Sequence, residues 1–378
     1  MALPMAPPPK SPLGRYRLLS PTASLRVSPL CLGGMNFGEA WNNTLGSCDK
    51  SMAFEIMDYF YEQGGNFIDT SNNYQFGQSE YWIGEWMKKR GVRDEMIVST
   101  KYTTNFRGGK GNKQIMANFT GTGSKSLRTS VDSSLRRLQT YYIDLLYVHW
   151  WDFSTSIEEL MQSLNNLVVT GKILHLGASD MPAFIVARAN EYARNHGLRQ
   201  FSVYQGRYNA ACRDMEREII PMMRYENMSI CVWGALGGGA FKNEEQRRAD
   251  RGRPAVTFTD KAIKVSQVLE AVAQRHNTIL TNVALAYTMN KFPYMFPVIG
   301  GRTREHLEQN IEALTLKLSD SEIQEIEDAV PFEFGFPGDF YWNGKTPDNP
   351  ADVWLLGMGG TMDNVPLPKP IEPAARSE

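Results

Sequence analysis

The sequence predicts an α/β chain folded as a (β/α)8 TIM barrel, with an N-terminal β-hairpin, long loops on one face and a C-terminal extension. Three observations carry that expectation. Short apolar runs alternate with segments whose apolar residues recur at helical spacing, which implies parallel strands joined by helical crossovers. The runs end at intervals near the ~30 residues that one barrel unit occupies. Asp69 to Lys101 is 32 residues, His149 to Ser179 is 30, Ser179 to Gln205 is 26 and Gln205 to Gly234 is 29. Two steps are longer, Lys101 to His149 (48) and Gly234 to Ile299 (65), and each contains a Gly- or charge-rich insertion, residues 105–123 and 237–257. Both insertions follow a strand, so both belong on the C-terminal face of the barrel, where active sites sit.

The elements follow in order. Residues 1–14 are Pro-rich and read as a disordered tail. Residues 16–27 alternate around Ser20-Pro-Thr22, a hairpin pattern. The eight strands are expected at 30–34, 66–69, 96–101, 143–149, 173–179, 201–205, 229–233 and 295–299. Helices are expected at 49–63, 78–89, 124–138 and 156–169, the last opened by a Ser156–Glu159 capping box. Pro182 opens the next helix. Further helices are expected at 215–225, over a long stretch 260–289, at 303–313 and at 319–330. The domain plan is a tail (1–14), a barrel (15–330) and a C-terminal extension (331–378). Aromatic residues in that extension should fold it back onto the barrel, and the part after Pro366 reads as disordered.

Composition narrows the function. The net charge is −1, which gives no basis for a nucleic-acid or anionic-membrane partner. Cys31, Cys48, Cys212 and Cys231 are scattered, with no CxxC pair. That opposes a disulfide framework or a cysteine-based metal site and points to a reducing, cytoplasmic compartment. The early prolines oppose an amphipathic leader helix, and no apolar run approaches the ~18 residues that span a bilayer.

The chemistry gathers at strand ends. Asp69, Lys101 and His149 end the second, third and fourth strands, and Tyr74 lies on the loop after the second. An Asp there often caps a helix, and a Lys after a strand is usually solvated. Lys101 ends an apolar strand, however, so it points into the barrel mouth. A Lys between a carboxylate and a phenol stabilises phenolate and lowers the Tyr74 pKa from ~10. Asp69 orients the Lys, and His149 can hydrogen-bond a substrate carbonyl beside Tyr74. Together they form an acid–base relay around one oxygen.

These motifs resemble the aldo-keto reductase superfamily over roughly residues 14–330. The matching stretches are Gly65-Asn-Phe-Ile-Asp-Thr70 with Tyr74, Ser99-Thr-Lys101, Asp144-Leu-Leu-Tyr-Val-His149, Gly177-Ala-Ser179, Tyr204-Gln205, Trp233-Gly-Ala-Leu-Gly237 and the segment from Ile299 to Asn310. The resemblance implies that Asp69, Tyr74, Lys101 and His149 form a catalytic tetrad and that NADP(H) binds without a Rossmann motif. It implies that Ser179 and Gln205 hold the nicotinamide carboxamide. Trp233, Gly234, Leu236 and Gly237 would line the pyrophosphate, and Gly301, Arg302, Thr303, Gln309 and Asn310 the adenosine 2′-phosphate and adenine. Asp180, where relatives often carry Asn, and His306, where many carry Arg, depart from the pattern. Arg302 and Arg304 can supply the charge, and basic residues at a helix start suit an anion.

On the substrate side, Phe37, Tyr102, Phe106, Trp150, Trp151 and Trp342 are candidates and suggest an aromatic or bulky apolar aldehyde or ketone. The Leu32-Gly-Gly-Met35 opening, the Trp150-Trp151 pair and the Val298-Ile-Gly-Gly-Arg302 close resemble the fungal aryl-alcohol dehydrogenase and norsolorinic-acid-reductase-like branch. That branch implies a polyketide-type carbonyl and secondary metabolism. The alternative is a cofactor-binding regulatory subunit on the same barrel, as in potassium-channel β subunits. Nothing in the sequence fixes the oligomeric state.

Overall fold

Eight parallel strands close on themselves in the computed structural model, which describes residues 3–249, 256–347, 349–361 and 363–375. The ends of the expected tail and extension, and the middle of the expected insertion 237–257, lie outside the described residues. The hairpin is β1 (Arg17–Ser20) and β2 (Ala23–Val27). The barrel strands are β3 (Cys31–Gly33), β4 (Phe67–Asp69), β5 (Ile97–Tyr102), β6 (Ile143–Val148), β7 (Ile173–Ser179), β8 (Phe201–Arg207), β9 (Ser229–Trp233) and β10 (Met295–Ile299). β10 closes the ring by pairing with β3 at Val298–Cys31 and with β9 at Phe296–Cys231.

Each strand is a short apolar run because its side chains pack on both sides. Phe67, Leu145, Tyr147, Val203 and Phe296 fill the barrel interior, and Leu19, Ala23 and Val27 of the hairpin join them from the N-terminal end. A larger apolar layer lies between strands and helices. The interior is a packed plug, and a cluster of polar strand ends lies at the C-terminal mouth.

Local signals place most helices. Asp49 caps Lys50–Glu62 by accepting from the Met52 amide at 2.9 Å. Ser156 caps Ile157–Val169, accepting from the Glu159 amide at 3.1 Å. The expected capping box is only half formed. The Glu159 carboxylate turns away to accept from the Ser124 amide and hydroxyl at 2.9 and 2.7 Å. The stretch 260–289 is two helices, Asp260–Arg275 and Leu280–Lys291, because Asn277 takes a left-handed φ of 49° between them. Among the described residues no helix is long and apolar enough to cross a membrane.

The ends of the chain differ from expectation. Residues 12–14, expected in a disordered tail, form a 3-10 turn with Leu13 fully buried and the Ser11 hydroxyl bonded to the Gln63 carbonyl at 2.9 Å. The extension bonds to the 3-10 turn Asp214–Glu216 and the helix Ile219–Glu226. Arg217 and Arg224 bind the carbonyls of Glu333 and Pro347, and the Thr346 hydroxyl binds that of Glu216. Beyond Pro366, where disorder was expected, Ala374 donates to the Leu314 carbonyl at 3.2 Å and Glu372 pairs with Lys317.

Candidate active site

Asp69 and Lys101 meet at the bottom of the mouth because β4 and β5 run side by side in parallel register, Asp69 opposite Ser99. Lys101, two residues beyond Ser99, points to the same interior face. The Lys101 side chain is fully buried and that of Asp69 is 4% exposed. Their contact is a direct ion pair. Lys101 Nζ also donates to the Thr70 carbonyl at 2.9 Å and to the Tyr74 hydroxyl at 3.4 Å. The second Asp69 oxygen accepts from Ser99 Oγ at 2.8 Å and Gln205 Nε2 at 2.9 Å. The carboxylate is therefore satisfied on both oxygens, which is what permits a buried charge.

Tyr74 and His149 stand above this pair. The Tyr74 ring lies edge-on to His149, with centroids 6.1 Å apart, and Lys101 Nζ sits 5.0 Å from its centroid. Burial pushes the Tyr74 phenol above its ordinary value near 10, and the attraction of Lys101 offsets only part of that rise. The net effect is the opposite of the lowering expected from the sequence, because the hydroxyl is desolvated as well as charge-stabilised. For Lys101, burial disfavours the ammonium, but Asp69 and Tyr74 outweigh it and hold the pKa above its ordinary value.

His149 is pulled down to about 3 by burial and by the nearby Lys101 charge, so its ring is neutral at physiological pH. Its Nδ1 lies 3.3 Å from Ser71 Oγ, which fixes the ring. A neutral imidazole can hydrogen-bond to a bound oxygen without carrying charge. The expected titration is flat. The His149 Cε1 proton shift should not change between about pH 5 and 8, and a midpoint near 6.5 would contradict the burial argument. Between pH 6.5 and about 3 the unfolded chain takes up a proton that folded His149 refuses. This group's contribution to stability is therefore full above 6.5 and falls as pH drops through that window.

The outer side of the same strand end is clamped as well. Glu80, fully buried, accepts from Thr100 Oγ1 at 2.6 Å and pairs with Arg137. Arg137 reaches on to the Asn72 carbonyl at 3.2 Å. The loop from β4 to Tyr74 is thereby held from both sides of β5.

A cavity of about 590 Å³ runs from Asp69, Tyr74 and His149 across the mouth to Arg302 and Asn310. Of the residues that the resemblance assigns to the cofactor, Ser179, Gln205, Trp233, Gly234, Leu236, Gly301 and Gln309 also line it, while Gly237 and Thr303 lie outside its lining. Gly238, Gly239 and Lys242 from the insertion after β9 form one rim. Ser179 Oγ is buried and has no hydrogen-bond partner among the described residues. An orphaned hydroxyl at the floor of a long groove suits a polar ligand group. Asp180 takes a left-handed φ of 46° and accepts from Trp233 Nε1 at 3.2 Å; desolvation raises its carboxyl. The far end is basic through Arg302. Arg304 turns outward instead, pairing with Glu308 and stacking 4.4 Å over the Tyr59 ring. Gly46, on the loop after β3, lies against Arg302 so closely that a Cβ there would sit 2.1 Å from Nη1.

A family model described as "Aldo/keto reductase family" matches residues 29–331. The chain belongs to that family. This aldo/keto reductase is 52% identical over 372 residues to norsolorinic acid reductase B of Dothistroma septosporum, covering 96% of this chain and 95% of the relative. It is 54% identical over 367 residues to an aryl-alcohol dehydrogenase of Pestalotiopsis microspora, covering 97% and 95%. It is 50% identical over 378 residues to norsolorinic acid reductase A of Aspergillus parasiticus, covering 99% and 97%.

The expected substrate residues of the reductase lie off this groove. Tyr102 follows inward-facing Lys101, so strand alternation turns it outward, where its hydroxyl donates to the Thr122 carbonyl at 3.0 Å. Phe37 and Trp151 are buried in the core between strands and helices. Phe106 is buried and stacks edge-on with Phe119 at 5.8 Å. Trp150 is half-buried and donates from Nε1 to Thr104 Oγ1 at 2.9 Å. Trp342 packs on Gly338 within the extension. None of these six lines the cavity. Ser99 was missed, although its place two residues before Lys101 carried the signal. Glu80 and Arg137 gave no local sign of their partnership.

Proposed function

We propose that the protein is an NADP(H)-dependent oxidoreductase that interconverts an aromatic or bulky apolar aldehyde or ketone and its alcohol. The observation that carries this reading is Lys101 Nζ, held between the Asp69 carboxylate and the Tyr74 hydroxyl on the cavity floor. When bound, the nicotinamide supplies or accepts a hydride. In reduction, the Tyr74 hydroxyl gives its proton to the carbonyl oxygen. Lys101 stabilises the phenolate left behind, and Asp69 keeps the Lys charged and aimed. Neutral His149 orients the carbonyl oxygen. A phenol pKa above 10 makes Tyr74 a proton holder until a developing alkoxide takes the proton.

Ser179 and Gln205 fit the carboxamide, the glycine-rich turn after β9 fits the pyrophosphate, and Arg302 with Gln309 and Asn310 fits the adenosine 2′-phosphate. Names of relatives support a polyketide-type substrate and a place in fungal secondary metabolism, and the thiol pattern supports a cytoplasmic site. The test is turnover of aromatic aldehydes with NADPH. A protein that binds NADPH but oxidises none of it would instead match a regulatory subunit. An Arg302→Ala variant should bind NADPH about ten- to a hundredfold more weakly, the loss of a charged hydrogen bond, with NADH little changed. Equal losses for both cofactors would show that Arg302 does not read the 2′-phosphate.

A further inference from the structure

We propose that Tyr147 is a positioning residue whose ring face steadies the Lys101 ammonium at the Tyr74 hydroxyl. The inference rests on the reductase reading above. Tyr147 lies on β6, directly opposite Lys101 of β5 on one side and Gly177 of β7 on the other. The three residues therefore stand at one level of the barrel and turn to the same interior face. Lys101 Nζ sits over the Tyr147 ring, 5.8 Å from its centroid, and lies 5.0 Å from the centroid of Tyr74. The ammonium thus faces two phenol rings, one on the mouth loop and one in the packed interior. Its N–H groups are directed to Asp69, the Thr70 carbonyl and Tyr74. A ring face adds attraction for the cation without competing for any of these donors.

The neighbouring strand is shaped to admit this ring. A Cβ on Gly177 would lie 2.4 and 2.5 Å from Tyr147 Cδ1 and Cε1. Gly177 does not adopt a left-handed φ, so the position calls for the missing side chain and not for backbone freedom. The ring, and not the hydroxyl, carries the role. Tyr147 is fully buried, and its hydroxyl has no hydrogen-bond partner among the described residues. A buried hydroxyl left unpaired destabilises the fold, so it does not explain the residue.

Lys101 is itself cut off from water, and the ring face favours its charged form where a hydration shell cannot. The other titratable groups around the ammonium are Asp69, Tyr74, His149, Asp180 and the thiols of Cys31 and Cys231. Weakening the ring face should make Lys101 lose its proton at lower pH. The alkaline limb of kcat should move down with it.

The experiment measures reduction of 4-methoxybenzaldehyde across pH, with NADPH affinity read by fluorescence, in wild type, Tyr147→Phe, Tyr147→Leu and a chain carrying pentafluorophenylalanine at position 147. Tyr147→Phe keeps the ring face and should keep kcat and the alkaline limb. Pentafluorophenylalanine keeps the shape but reverses the charge of the face. Its kcat should fall about twofold to thirtyfold, with KM and NADPH affinity unchanged and the alkaline limb at lower pH. Tyr147→Leu should show the same loss. Equal rates and limbs in the phenylalanine and fluorinated chains would show that the ring only fills space and would overturn the inference. So would a Tyr147→Phe variant as slow as the fluorinated chain, which would move the role to the hydroxyl. Either result leaves the reductase reading standing. A wild-type protein that reduces no aldehyde would overturn both.

Discussion

A Tyr74→Phe variant is expected to reduce aromatic aldehydes about 10²- to 10⁴-fold more slowly than wild type, the range that positioned proton transfer contributes. Cofactor affinity should be unchanged. Phenylalanine keeps the ring that packs edge-on against His149 and Trp41, so the mouth should not rearrange. Lys101 loses one contact at 3.4 Å and retains Asp69 and the Thr70 carbonyl. The change therefore removes the proton and little else. Single-turnover reduction and NADPH fluorescence titration, run on one preparation, give the two numbers. A variant that keeps a rate near wild type would mean that water or another group supplies the proton.

Lys101→Met should lose activity and stability together. The variant loses the ammonium that donates to the Tyr74 hydroxyl. It also leaves the Asp69 carboxylate, 3% exposed as a residue, with Ser99 and Gln205 as its donors among the described residues. Stranding one member of a buried ion pair destabilises by about 3–5 kcal/mol. Urea unfolding measures that directly. Adding Asp69→Asn removes the stranded charge, so the double variant should regain most of the stability and none of the turnover. If the single variant unfolds within about 1 kcal/mol of wild type, as an exposed pair would, the buried pair is not what secures the barrel mouth.

The barrel was legible because its strands are apolar on both faces and are punctuated by polar strand ends. The register that brings Asp69, Lys101 and Gln205 together follows from closure of the ring. The break between Arg275 and Leu280 was not legible, because it rests on Asn277 in a left-handed turn with no glycine or proline to mark it. That the aromatic candidates lie off the groove was not legible for a different reason. An aromatic near a strand end is as useful to the core as to a ligand, and only alternation separates the two. That rule, applied to Tyr102 after inward-facing Lys101, would have excluded it. The direction of the Tyr74 shift depends on how deeply its hydroxyl is buried, which no residue pattern states.

The contact between Gly46 and Arg302 joins the loop after β3 to the basic end of the cavity. One loop rests on the guanidinium at one end and is tied to the turn after Tyr74 at the other. Trading Arg302 for a smaller residue withdraws a contact from the loop that carries Trp41. The basic end of the cavity and the loop beside Tyr74 are thus one connected unit rather than two exchangeable parts. A redesign of either end has to rebuild the span between them.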